Sequence, residues 1–226
     1  MISFQNLTKI YPPNIVALDN VSFDVKEKEF VCIVGRSGAG KTTLLKLLLA
    51  IEKPTRGEIF FGDEELFKID HEDLSKFRRK IGVIFQDYKL LPSKTVYENV
   101  AYVMELMGRS DREISREIPQ ILKIVELEDR SHNFPAQLSG GEQQRAAVAR
   151  AIAHRPQVIL ADEPTGNLDP YNTQDLIRLL KKINKLGTTI ILATHDKEII
   201  DSLKERVITL ERGRLIRDEK EGRFII

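Results

Sequence analysis

Gly35-Arg36-Ser37-Gly38-Ala39-Gly40-Lys41-Thr42 decides how the rest of the chain is read. It matches G-x-x-x-x-G-K-S/T at every fixed position, the pattern of a phosphate-binding loop. Its flanks agree. Phe30-Val31-Cys32-Ile33-Val34 before it is a short apolar run rich in β-branched side chains and predicts a buried strand. Thr43-Leu44-Leu45-Lys46-Leu47-Leu48-Leu49-Ala50 after it predicts a helix. The glycines let backbone N–H groups turn inward around an anion, and the helix N-terminus adds positive potential there. Gly35, Ser37, Gly38, Ala39 and Gly40 are expected to line the cradle. Lys41 should reach the β- and γ-phosphates of a nucleotide, Thr42 should ligate Mg²⁺, and Thr43 should touch the α-phosphate side.

Three other apolar runs end in a polar residue, as this strand does. Ile81-Gly82-Val83-Ile84-Phe85 ends at Gln86, Val158-Ile159-Leu160-Ala161 at Asp162, and residues 188–194 at His195. Ligands of open α/β sheets bind beyond the carboxyl ends of the strands. Gly35, Gln86, Asp162 and His195 are therefore expected at one edge of one sheet. A carboxylate at a strand end holds Mg²⁺ directly or through water, which assigns Asp162 to the metal. Glu163 follows it. Alternation along a strand points the two carboxylates differently, so Glu163 is the candidate general base facing the attacking water. Gln86 offers an amide oxygen to Mg²⁺ and an amide nitrogen to water, or is simply a turn residue. Taken alone, His195 fits a helix cap or a hydrogen-bonded core group as well as a ligand contact. Ser139-Gly140-Gly141 at a helix start is a second anion-binding geometry or a plain N-cap. Tyr11 is a packing residue or a face on which adenine stacks.

The remaining chain supplies the frame. Residues 2–7 and 21–25 alternate apolar and polar side chains and predict two half-exposed strands of an antiparallel N-terminal sheet, joined through a turn at Tyr11-Pro12-Pro13-Asn14. Residues 57–62 predict another strand, and residues 64–80 a loop and surface helix. Residues 96–107 and 114–125 carry apolar residues at helical spacing, a helical insertion between core strands, with Asp111 as the expected cap of the second helix. A helix after Ser139, a helix over residues 175–186 ended by Gly187, and a hairpin around Arg212-Gly213 complete the pattern. The charged residues 218–223 are expected to be a mobile tail. Tyr88, Leu90 and Leu91, after Gln86, put large apolar groups in a loop, where they either fold under the insertion or meet a partner helix.

The chain has 226 residues, 42% of them apolar, enough to bury roughly 70–75% of its unfolded surface. One α/β domain over residues 1–226 is expected, with the helical insertion inside residues 90–155. The 35 basic and 34 acidic residues nearly cancel, which argues against a nucleic-acid partner. No apolar run approaches the ~20 residues of a membrane span, and no signal peptide is visible. The single Cys32 excludes an internal disulfide and is expected to be a buried small hydrophobe. The expected location is cytosolic.

Leu138-Ser139-Gly140-Gly141-Glu142-Gln143 is far more specific than a phosphate-binding loop. With it, and with the order of loop, Gln86, Asp162-Glu163, Asp169 and His195, the whole chain closely resembles the ATP-binding cassette family. The resemblance implies a RecA-like P-loop nucleotide-binding domain of α/β class, with an antiparallel β subdomain and a helical subdomain, hydrolysing ATP with Mg²⁺. It implies that Tyr11 stacks on adenine and that His195 contacts the γ-phosphate. It also implies an ATP-dependent head-to-tail homodimer. Ser139, Gly140 and Gly141 of one subunit would face the nucleotide held by the other, and Asp169 would cross the same interface. Thr95-Val96-Tyr97-Glu98-Asn99-Val100-Ala101, Asn133-Phe134-Pro135-Ala136-Gln137 and Thr165-Gly166-Asn167-Leu168-Asp169 resemble one branch of the family. That branch holds bacterial cell-division ATPases beside those of lipoprotein release and macrolide export. Asn167 stands where Ala is common in the wider family, but it suits this branch. The branch implies an integral membrane partner that brings the chain to the cytoplasmic face of the plasma membrane.

Overall fold

The computed structural model describes residues 1–70 and 72–222. The elements run β1 (Ile2–Tyr11), β2 (Ile15–Val25), β3 (Phe30–Val34), α1 (Lys41–Leu48), β4 (Arg56–Phe61), β5 (Glu64–Glu65), α2 (Leu74–Arg78) and β6 (Ile81–Phe85). Then follow α3 (Val96–Leu106), α4 (Asp111–Ile124), α5 (Gly140–Ile152), β7 (Val158–Asp162), α6 (Pro170–Lys185), β8 (Thr189–Thr194), α7 (Lys197–Leu203), β9 (Arg206–Glu211) and β10 (Arg214–Glu219). They form two compact units, Met1–Arg78 with Gly187–Ile226, and Arg79–Leu186.

In the first unit, an antiparallel sheet has the order β2-β1-β4-β5, with Ile2 opposite both Val25 and Phe61. The alternation read from the sequence buries Ile2 and Phe4 on one face with Phe23 and Val25, and the rings of Phe4 and Phe23 stack at 4.4 Å. The same unit holds the strand order β10-β9-β3-β8, in which β3 runs parallel to both neighbours. All five residues of β3 are buried, Cys32 among them, as an unbroken apolar run in a parallel sheet requires. Helix α1 buries Leu44, Leu45, Leu47 and Leu48, each worth about 1.5–3 kcal/mol of transfer free energy. The hairpin from β9 to β10 turns on Arg212 (φ 47°) and Gly213 (φ 80°), the left-handed pair that a tight hairpin demands.

In the second unit, β6 and β7 pair in parallel, with α3, α4 and α5 inserted between them in the chain. Helix α4 buries Ile114, Ile118, Ile121 and Leu122, one stripe at helical spacing. Helix α5 buries Ala146, Ala147, Val148, Ala149 and Ala151, small side chains that allow close packing.

Several local expectations are corrected. Ser110, not Asp111, caps α4. Its hydroxyl accepts from the Glu113 N–H while the Glu113 carboxylate accepts from the Ser110 N–H, and Asp111 is the first helical residue. Helix α6 begins at Pro170, five residues before its expected start, because Asp169 caps it and proline suits the first position. Helix α7 was not legible in a stretch of only seven residues. Asp218 and Glu219 belong to β10, where Asp218 receives the Arg206 guanidinium at 2.7 Å. Arg223, the last residue of the expected tail, lies outside the described residues.

Candidate active site

The first unit builds the phosphate loop. Val34 and Thr194 are register partners on adjacent parallel strands, so Gly35 and His195 leave the sheet side by side in sequence register. Gly38 (φ 78°) and Gly40 (φ 105°) take backbone conformations that favour glycine, and a Cβ on Gly40 would lie 2.5 Å from the Ala17 carbonyl oxygen. A Cβ on Gly38 would meet nothing within 4 Å, so the loop is open at that point. Gly40 is the N-cap of α1 and brings no side chain to the first-turn N–H groups, and no acidic residue stands in that turn. A helix start left uncapped by side chains in this way suits an anion. Lys41 is 5% exposed, and its ammonium donates to the carbonyls of Gly35 (2.8 Å) and Arg36 (3.3 Å). Arg36, Ser37 and Gly38 are exposed at the mouth, Ala39 is buried, Thr42 is exposed and Thr43 half-buried. Tyr11 is half-buried at the end of β1, with the Glu52 carboxylate and the Thr43 side chain near its hydroxyl. His195 is exposed, and the capping of α7 falls to Asp196, whose carboxylate accepts from the N–H groups of Glu198 and Ile199.

The second unit holds the other candidates. Phe85 and Asp162 are register partners, so Gln86 and Glu163 follow neighbouring strand ends. Asp162 is the last residue of β7. Glu163 is not a strand residue: at φ 46° it lies in the left-handed region, so, contrary to the expectation from strand alternation, alternation does not set its direction. Such a backbone on a non-glycine residue costs of order 1–3 kcal/mol, and residues of this kind cluster at functional sites. The Glu163 carbonyl accepts from the Gly166 N–H at 3.1 Å, closing the turn. A Cβ on Gly166 would sit 2.7 Å from the Gln86 amide nitrogen, so glycine there lets Gln86 approach. The Asn167 amide donates to the Gln86 carbonyl at 3.0 Å, giving the departure from alanine a structural use.

Ser139 is the N-cap of α5. Its hydroxyl donates to Glu142 at 2.9 Å and accepts from the Glu142 N–H, and the Ser139 N–H donates to the same carboxylate at 2.8 Å. These contacts, the backbone one foremost, hold the Glu142 carboxyl below the usual range. Gly140 opens the helix, and a Cβ on Gly141 would collide with the Asn172 side chain at 2.0 Å, which brings the serine–glycine turn against the start of α6. There Asp169 accepts from the N–H groups of Tyr171 and Asn172 and from the Asn172 amide, and its carboxyl is held low, first by the Asn172 N–H.

Sequence reasoning missed the residues that hold these loops. Gln144 is fully buried, and its amide donates to the Pro164 carbonyl at 2.7 Å, tying α5 to the turn after Glu163. Arg150 donates to the carbonyls of Tyr88 and Lys89, both with left-handed backbones. Asn99, fully buried, accepts from the Leu91 N–H and donates to the carbonyls of Leu91, Lys94 and Thr95. Its place in the otherwise apolar buried stripe of α3, with Val96, Val100 and Met104, is the one sequence signal for this. Tyr88, Leu90 and Leu91 are half-buried.

A phosphate loop between a buried parallel strand and a helix defines a P-loop nucleotide-binding α/β protein. The ABC transporter family model matches residues 18–166. The chain is 45% identical to the cell division ATP-binding protein FtsE of Bacillus subtilis, over 99% of this chain and 98% of that one. It is 43% identical to FtsE of Escherichia coli, over 95% and 97%. The dimeric structure of the ATP-binding cassette MJ0796 in a post-hydrolysis state bound to ADP and phosphate superposes with a TM-score of 0.87 at 40% identity, covering 99% of this chain and all of that one. CbiO1 of Clostridium perfringens, part of an ABC transporter complex, does so at 0.90 with 31% identity, over 97% and 88%. The chain belongs to the ABC transporter family, and it is an ABC-type ATPase.

Proposed function

We propose that this chain is the ATP-hydrolysing subunit of a bacterial cell-division complex, held at the cytoplasmic face of the plasma membrane by an integral partner of the FtsX type. The observation that carries the ATPase is the start of α1, uncapped by side chains, with the Lys41 ammonium drawn into the loop ahead of it. The likeness to FtsE chains over almost the full length carries the cell-division role.

The roles follow from the family pattern and from the chemistry of each group. Lys41 and the N–H groups of residues 35–43 bind the phosphates, and Tyr11 stacks on the adenine. Thr42, Gln86 and Asp162 are all oxygen donors, the set that a hard cation such as Mg²⁺ prefers. When bound, Mg²⁺ neutralises charge on the phosphates. Glu163 takes the proton of the attacking water, Gln86 orients that water, and His195 contacts the γ-phosphate.

The chain works as an ATP-dependent homodimer in which Ser139, Gly140, Gly141 and Asp169 serve the partner's nucleotide. The dimeric cassette structures support this, as does Tyr171. It is 85% exposed on the capped first turn of α6, an aromatic two residues from Asp169. The membrane partner docks along the loop of residues 87–96 and α3. Tyr102 and Leu106, one turn apart on α3, are 40% and 57% exposed, and a cavity of about 410 Å³ opens among Met104, Met107, Arg109, Glu113 and His154. Exposed apolar side chains one turn apart on a helix suit a partner helix.

The test is the Glu163→Gln variant, which keeps the side-chain shape but cannot take a proton. Phosphate release should fall by about 10²–10⁴, and the variant should run as a dimer on sizing chromatography only with ATP. Hydrolysis near the wild-type rate would move the base elsewhere.

A further inference from the structure

Lys9 and Tyr11 are two residues apart on β1, so their side chains leave the same face of the strand. The Lys9 ammonium stands 4.9 Å from the centre of the Tyr11 ring, within reach of a cation–π contact. It is fixed there by two further partners. It donates to the Lys53 carbonyl at 2.8 Å and pairs with Glu52 at 3.2 Å, and the Lys9 side chain is only 15% exposed. Glu52 is the hub. It also pairs with Lys46 in the last turn of α1 at 3.7 Å and lies near the Tyr11 hydroxyl. Thr43, in the first turn of α1, also neighbours that hydroxyl.

Three constraints therefore act on one ring. One face is covered by an ammonium, that ammonium is fixed by Glu52 and the Lys53 carbonyl, and Glu52 and Thr43 crowd the hydroxyl end. An aromatic ring free to rotate would lose that freedom each time a base stacked on it, whereas a ring already held does not. The charge also decides which face is used, since a purine needs a bare face for offset stacking. Because Thr43 belongs to the phosphate loop and Lys46 to the helix that follows it, the ring is set relative to the phosphates, not merely to its own strand.

We infer that Lys9 and Glu52 are positioning residues of the nucleotide site, holding the Tyr11 ring so that the face away from Lys9 takes the purine base. The inference rests on Tyr11 being the stacking residue. Neither Lys9 nor Glu52 touches the nucleotide; both act through Tyr11. Burial, and then the Glu52 carboxylate, push the Tyr11 hydroxyl above its ordinary range, so it stays protonated and able to donate.

The experiment is steady-state ATP hydrolysis by the full chain carrying Glu52→Ala, Lys9→Met, Tyr11→Phe or Tyr11→Ala, with inorganic tripolyphosphate as a competing inhibitor that has no base. Glu52→Ala and Lys9→Met should each raise KM for ATP about three- to tenfold with kcat held within twofold. The inhibition constant of tripolyphosphate should not move, which a general loosening of the phosphate loop would not allow. Glu52→Asp should recover most of the wild-type KM. In a Tyr11→Phe background, which lacks the hydroxyl, Glu52→Ala should add much less than it does alone. If Tyr11→Ala leaves KM unchanged, the stacking role of Tyr11 fails and the inference with it. If Tyr11→Ala raises KM but Glu52→Ala and Lys9→Met do not, the stacking role stands and the positioning inference is overturned. Should Glu52→Ala prove unfolded by thermal melting, Lys9→Met, which keeps the aliphatic stem, carries the same decision.

Discussion

Lys41 is almost fully buried, and its ammonium donates to two main-chain carbonyls of its own loop. A carbonyl dipole is a weaker partner for a cation than a phosphate, since charge-assisted hydrogen bonds to an anion are roughly twice as strong as neutral ones. A phosphate in the loop would outbid these two carbonyls for the ammonium. Lys41→Ala should abolish ATP binding by calorimetry while the melting temperature shows a folded protein. A folded variant with unchanged affinity would remove Lys41 from the site. Glu163 illustrates the opposite economy. Its left-handed backbone stores strain, which the short turn to Gly166 and the Gln144 contact to Pro164 hold in place.

At the scale of the element, α3, α4 and α5 begin with the same reciprocal box, Thr95–Glu98, Ser110–Glu113 and Ser139–Glu142. In α4 the backbone N–H of Ser110, then its hydroxyl, then Arg109, bring the Glu113 carboxyl down to about 2 from an ordinary 4.5. A carboxyl with a lowered folded value stabilises the fold only when ionised. Its contribution is complete above the ordinary value and is lost as pH falls toward the folded one. Ser110→Ala should cost about 1 kcal/mol near neutral pH. The gap between wild-type and variant melting curves should narrow as pH drops below 4.5. A gap that stayed constant with pH would show that the carboxylate does not act through the cap. In α5 the same device has a second consequence. The Ser139 hydroxyl proton is given to Glu142 and must be redirected if Ser139 is to donate to a partner's phosphate.

At the scale of the whole molecule, the proposed dimer separates the loop that holds a nucleotide from the serine–glycine turn that closes on it. Lys41→Ala and Ser139→Arg should each be inactive alone. Mixed, they form a dimer with one site lacking both groups and one lacking neither, so part of the hydrolysis should return. Absence of recovery despite demonstrated mixed dimers would overturn action across the dimer or show that both sites must fire together. The membrane partner is tested separately. Leu91, half-buried and tied through its backbone to Asn99, lies in the proposed docking loop. Leu91→Asp should leave ATP binding and melting nearly unchanged but release the protein from the membrane fraction of cells. Normal membrane association would exclude this surface, and a collapsed melting temperature would show Leu91 to be core.

The amino-acid sequence by itself determined the phosphate loop, β3 and β6 to the residue, the helical insertion and the family, because these depend on spacing within a few residues. Periodicity, glycine placement and a contiguous motif survive in one dimension. Which of two adjacent polar residues caps a helix does not: Ser110 and Asp111 both qualify, and only the path of the entering backbone chose Ser110. Nor was the direction of Glu163 legible, because alternation holds only while the strand continues, and the chain leaves it at Asp162. The residues that hold the site pair across long separations. Arg150 reaches the Tyr88 carbonyl 62 positions away, and Lys9 reaches Lys53 across 44. No local pattern records such pairs. They exist only once the packing of strands and helices has brought distant segments within hydrogen-bonding distance, and that was decided by the tertiary structure alone.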